Sequence, residues 1–69
     1  MNLKDAMAVH LANSDDTKQS IAERIGFKSV QTLNSKLDGT SEISLNEAVE
    51  FSKILGVGID EICNMALMK

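Results

Sequence analysis

Side chains able to do covalent or acid–base chemistry are few in this 69-residue chain: one cysteine, one histidine and ten carboxylates. A lone cysteine, Cys63, closes no internal disulfide, and with His10 it makes no metal-ligand cluster. His10 recurs with Leu3, Ala6, Met7 and Leu11 at intervals of three and four, so it belongs at the boundary of an apolar helix face. Cys63 stands at helical spacing from Ile59, Ile62, Ala66 and Leu67, which makes core packing its expected role rather than redox chemistry. Asp15, Asp16, Glu42, Glu47 and Glu50 read as helix caps and solvated surface. A catalytic carboxylate pair needs a cleft, and a domain this small buries only about 60% of the surface its unfolded chain exposes. No enzyme, metal or cofactor is expected. The remaining chemistry is hydrogen bonding. Gln31 and Asn34 carry amides three residues apart, with Val30 and Ser35 beside them and Lys18, Lys28, Ser29 and Lys36 around them. On spacing alone these are ordinary surface polar groups.

The elements that would carry them are helical. Proline is absent, 43% of residues are hydrophobic and 25% charged, a globular balance that favours helices. No apolar run approaches the ~18 residues of a membrane span, and the N-terminus lacks a signal-peptide core. A soluble, cytoplasmic chain forming one domain over 1–69 is expected. Asn2 caps a first helix, which the turn chemistry of Asn13–Asp16 ends. Asp16 or Thr17 caps a second helix, Gln19 having capping-box spacing from Asp16, with Ile21, Ala22 and Ile25 facing inward and Gly26 stopping it. Ser29 caps a third, running to about Leu37, with Leu33 and Leu37 inward. Ser44 and Glu47 have capping-box spacing ahead of a fourth helix whose face is Leu45, Ala48, Val49, Phe51, Ser52 and Leu55. Gly56 ends it. A fifth runs from Ile59 to about Leu67, with Asp60 and Glu61 in its first turn. Five short helices make an all-α domain.

The second and third helices, joined through a connection that begins at Gly26, make a helix-turn-helix. In such a unit the first helix crosses a phosphate backbone and the second sets its N-terminal side chains against base edges. Thr17 to Gly26, T-K-Q-S-I-A-E-R-I-G, resembles the T-Q-x-x-L-A-x-x-L-G opening of the phage repressor (Cro and cI-like, or XRE) helix-turn-helix family. Ser44 to Ile62, S-L-N-E-A-V-E-F-S-K-I-L-G-V-G-I-D-E-I, is similar to that family's S-L-x-x-L-x-x-I-A-x-A-L-G-V-S-x-D-E-L ending. The two matches stand in order and span nearly the whole chain. The resemblance implies an all-α, five-helix lambda-repressor-like DNA-binding domain with its helix-turn-helix at about 17–37. It departs from the family pattern at Lys18, where a glutamine is usual, and in the turn Gly26-Phe27-Lys28-Ser29, one residue longer than the commonest form and like a G-Y-K-S variant of small prophage-type members.

Charge is distributed as that reading requires. The net charge is −3, yet residues 17–37 hold Lys18, Arg24, Lys28 and Lys36 against Glu23 alone, and the excess of acid lies elsewhere. A basic helix-turn-helix on an acidic support gives an orienting field. Val30, Gln31, Asn34 and Ser35 are expected to point away from the Leu33–Leu37 core. By resemblance, Val30 and Gln31 stand where family members first touch bases, with Asn34 one turn later. Gln and Asn can pair with adenine N6 and N7, each good pair discriminating by about 1–3 kcal/mol. The exposed face of the third helix has no arginine for guanine. Lys18, Lys28, Ser29 and Lys36 are the candidates for phosphate.

The expected partner is a double-stranded DNA operator, addressed by the helix at 29–37 in the major groove. Two copies would cover half-sites about 34–36 Å apart. No membrane and no small-molecule ligand is expected. Met65 and Met68 leave the core face of the last helix, where flexible thioethers suit contact with a second copy or a partner protein; fraying of the C-terminus is the plainer account. The rival reading is a protein-binding modulator, such as an anti-repressor, that turns the helix-turn-helix face toward a partner repressor.

Overall fold

The computed structural model describes residues 2–67 and is all-helical, with no strand among the described residues. The helices are α1 (Leu3–Ala12), α2 (Lys18–Ile25), α3 (Val30–Asp38), α4 (Leu45–Leu55) and α5 (Ile59–Leu67).

Each of the first four begins on a side chain that satisfies an otherwise orphaned backbone N–H. The Asn2 Oδ1 accepts from Asp5 N at 2.8 Å, and Ser29 Oγ accepts from Thr32 N at 3.3 Å. Thr17, not Asp16, caps α2. Thr17 Oγ1 accepts from Ser20 N while Ser20 Oγ accepts from Thr17 N, both at 3.1 Å. Asp16 is instead held by His10 and Arg24. Ser44 and Glu47 form the expected reciprocal box at the start of α4.

Between α2 and α3 lie four residues, Gly26 to Ser29. Gly26 sits at φ 101°, in the left-handed region that a side chain makes costly. That reversal lets both Gly26 N and Phe27 N donate to the Ala22 carbonyl. Phe27 then turns inward, its ring centroid 6.4 Å from that of Phe51, and so pins the turn to α4.

Leu3 and Met7 of α1, Ile21 and Ala22 of α2, Leu33 and Leu37 of α3, Ala48, Phe51 and Ile54 of α4, and Ile62 of α5 form one buried cluster. Phe51 is its centre in size, fully buried. Two sequence expectations change here. Leu45 is 71% exposed at the first turn of α4 while Ile54 is buried, so the inward face of that helix is Ala48, Phe51 and Ile54. Cys63 is exposed and Ile59 is 39% exposed, leaving Ile62 as the buried residue of α5. Among the described residues no helix is long and apolar enough to cross a membrane.

Candidate functional site

The free side of α3 is polar. Ser29, Gln31, Thr32, Asn34, Ser35, Asp38 and Ser41 line an open concavity of about 490 Å³. Buried Leu33 and Leu37 hold the opposite side of the helix to the core. The structure therefore brings Gln31, Asn34 and Ser35 together, with Ser29 at the start of the same surface. Gln31 is exposed. Val30, in the first turn, is half-buried and does not line the concavity. Thr32, Asp38 and Ser41 were not among the sequence candidates. Asp38 stands seven residues from Gln31, two helical turns along one face, and that spacing was the available signal.

Lys18 lies at the first position of α2, yet its ammonium reaches across to α3 and donates to Asn34 Oδ1 at 3.0 Å. The bond joins two of the residues picked from sequence for separate roles. Because its partner is neutral, Lys18 keeps its net charge beside the α3 surface. Lys28, in the turn, is exposed and has no ion pair among the described residues. Ser29 is also exposed, its hydroxyl used as the α3 cap.

Lys36 does not join them. Its ammonium donates to the Glu42 carbonyl oxygen at 2.6 Å and lies 3.2 Å from Glu47 Oε1. It also stands 5.8 Å from the centre of the Phe27 ring. With its side chain 16% exposed, Lys36 ties α3 to the start of α4, where its charge is already engaged before any phosphate is met. The cause is Glu47, which the capping box turns toward it. Partial burial pushes the Glu47 carboxyl up, but the Ser44 N–H and the Lys36 ammonium outweigh that and hold it below its ordinary value.

The other charges mainly brace helices. Asp38 pairs with Lys4 of α1 at 3.6 Å, both well exposed. Asp16 receives His10 Nε2 at 2.8 Å and Arg24 at 3.5 Å, linking the end of α1 to α2. Ser14 Oγ approaches the same His10 nitrogen at 3.4 Å. A proton relay needs serine and carboxylate on opposite ring nitrogens, so this is a boundary histidine in a bracing cluster and not a catalytic triad.

Met65, expected to stand exposed, is half-buried and packs against the core cluster, because α5 leans on α1 and α4. Met68, the other residue assigned to partner contact, lies outside the described residues. The exposed apolar side of α5 is Ile59 and Cys63 instead. Beside it, Ile43, Cys63 and Ala66 line a shallow groove with Glu42 and Lys36.

No family model, curated protein or solved structure matches the chain.

Proposed function

We propose that the chain is a small cytoplasmic DNA-binding transcriptional regulator of the phage repressor type, with α3 entering the major groove. The observation that carries this reading is the α3 surface itself: an open helix face of amides and hydroxyls, its core side locked by Leu33 and Leu37, with Lys18 and Lys28 at the α2 and turn side. Amides and hydroxyls on a rigid helix supply base-edge hydrogen bonds, and cations beside them supply phosphate contact. Gln31 and Asn34 are the base readers, with Ser35 beside them and Val30 near the entry end, where a thymine methyl is its natural contact. Ser29 and Lys28 address phosphate at the start of the helix. Two copies on a pseudo-palindrome, with half-sites about 34–36 Å apart, complete the arrangement. Occupancy of an operator is then the regulatory event.

The test is titration of the purified chain against the intergenic DNA beside its own gene, at two salt concentrations, with random DNA as competitor. Binding that resists competitor and weakens with salt is expected, because phosphate contacts release counterions. Gln31→Ala should relax sequence preference by about 1–3 kcal/mol at one base pair. Binding no tighter than to random DNA overturns the reading.

One observation favours a second reading, a protein-binding modulator or anti-repressor: the exposed apolar flank at Ile59 and Cys63. Salt-insensitive capture of a repressor encoded nearby, with no operator preference, would establish it.

A further inference from the structure

We propose that the exposed flank of α5 docks the basic α2–α3 face of a second copy of the chain, head to tail, so that self-association covers the helix-turn-helix. The inference goes beyond the DNA-binding reading and holds whichever ligand α3 takes.

The flank is a small apolar strip. Ile59, 39% exposed, and the exposed Cys63 stand one turn apart on the same side of α5. Cys63 opens on a groove that Ile43 and Ala66 also line. Two carboxylates flank the strip: Asp60 lies three residues from Cys63 on α5, and Glu42 lines the groove. Both residues are exposed, and neither has an ion pair among the described residues. An isologous contact sets a patch against its own image. The two carboxylates would then face two more, and like charges across an interface suppress that pairing. The strip therefore fits a surface that offers an apolar side chain beside cations.

The α2–α3 side of the chain is such a surface. Lys28 is exposed and has no ion pair among the described residues, and the exposed Lys18 is bonded to a neutral amide. Val30, half-buried, stands two residues beyond Lys28 in the first turn of α3. The other cations of this region, Arg24 and Lys36, already face acids. The uncompensated cations of one copy thus match the uncompensated acids of the next, with Val30 set against Ile59 and Cys63. The contact is heterologous: each copy gives one flank and one face, so it extends instead of closing at two. Exposed ion pairs around one small apolar contact make it weak and transient. Whatever α3 binds must displace it, because Lys18 and Lys28 cannot serve both.

Sedimentation velocity of the full chain in reducing buffer, from about 0.05 to about 1 mM, reads the contact, and amide resonances of labelled chain over the same series locate it. Average mass should rise with concentration at low salt and fall back toward the monomer at high salt. Resonances should shift together at Lys28–Val30 and at Ile59–Cys63. Glu42→Lys with Asp60→Lys in one chain, and Lys28→Glu in another, should each weaken association by at least about 5-fold. Circular dichroism melts check that both fold, and Glu42→Lys alone, outside every helix, replaces the first should the α5 change cost stability. The deciding arm is a mixture of the two variants. Association should return, because each reversed patch finds the opposite charge on the other variant. A chain that stays monomeric to about 1 mM overturns the inference. So does association that stops at a dimer, resists salt, shifts α5 alone and is not restored by mixing, as an isologous apolar contact would give.

Discussion

Lys36→Met tests whether the third helix is held in place by a charge drawn from its own basic surface. Methionine keeps the stem that lies along Phe27 and deletes the ammonium, so the change isolates the charge. Three interactions disappear: the bond to the Glu42 carbonyl at 2.6 Å, the ion pair with Glu47 at 3.2 Å, and the contact 5.8 Å above the Phe27 ring. A hydrogen bond to a charged group contributes about 1.5–3 kcal/mol. The ion pair adds about 0–1 kcal/mol at this partial exposure, and the ring about 0.5–1 kcal/mol. Against them stands the cost of holding an ammonium largely out of water, which deletion recovers. The net expected loss is about 1–2 kcal/mol, or a fall in Tm of about 4–16 °C for a domain of this size. An unengaged surface lysine would change stability by about 0.5 kcal/mol at most. Thermal and urea unfolding followed by circular dichroism measure the loss. A double-mutant cycle with Glu47→Gln should return a coupling of about 0.5–1 kcal/mol. A Tm within about 2 °C of wild type together with zero coupling would refute the argument. Lys36 would then be a solvated cation, as available to phosphate as Lys28.

The Glu47 carboxyl, held below its ordinary value of 4.5, contributes stability that is present above that value and lost as pH falls through the lower, folded value. Glu47→Gln should therefore flatten the decline in urea stability on the acid side, and an unchanged acid limb would contradict the assignment. Gly26→Ala meets open space around the new Cβ, so its cost is backbone alone, at φ 101°; a loss of about 1–2 kcal/mol is expected from the urea midpoint. Cys63 should react with a soluble thiol reagent in native buffer nearly as fast as in urea, since it is exposed. Strong native-state protection would return it to the core.

The helix boundaries were legible because four of the five helices begin on a capping side chain and three end on a left-handed glycine. These are local signals, satisfied within a few residues. Which way a helix faces was legible only where its apolar stripe is narrow. α3 offers Leu33 and Leu37 and little else, and both are buried. α5 carries Ile59, Ile62, Cys63, Met65 and Ala66 around much of its circumference, so spacing could not say that Ile62 and Met65 face the core while Cys63 does not. In α4 Leu55 packs against the core as its spacing implied, but the exchange of Leu45 for the buried Ile54 depends on Phe51, which fills the centre. Side-chain partners distant in sequence were the hardest part. Glu47 was readable as a cap, but its second role toward Lys36 depends on α4 starting beside the end of α3. The Lys18–Asn34 bond spans sixteen residues, and no periodicity reports it. Between the two candidate caps of α2 spacing could not choose Thr17 over Asp16, since His10 and Arg24 come to Asp16 from two different helices.

The structure also revises the charge available to a nucleic acid, and a salt titration can read the revision. Residues 17–37 carry four cations, but Arg24 faces Asp16 and Lys36 faces Glu47. Lys18, bonded to a neutral amide, and the exposed Lys28 keep their charge free for phosphate. Each phosphate neutralised contributes about −0.9 to the slope of log K against log salt on duplex DNA. Two free cations give a slope of about −2 per copy and about −4 for a two-copy complex. Four would give about −7 for the complex. A slope near −4 that Lys36→Met leaves unchanged and Lys28→Ala reduces by about 2 in the two-copy complex is the expected result. A slope near −7 that Lys36→Met does reduce would mean that DNA pulls the ammonium away from Glu47. Binding would then compete with the contact that anchors α3, and Lys36→Met would become a change that lowers stability and affinity together.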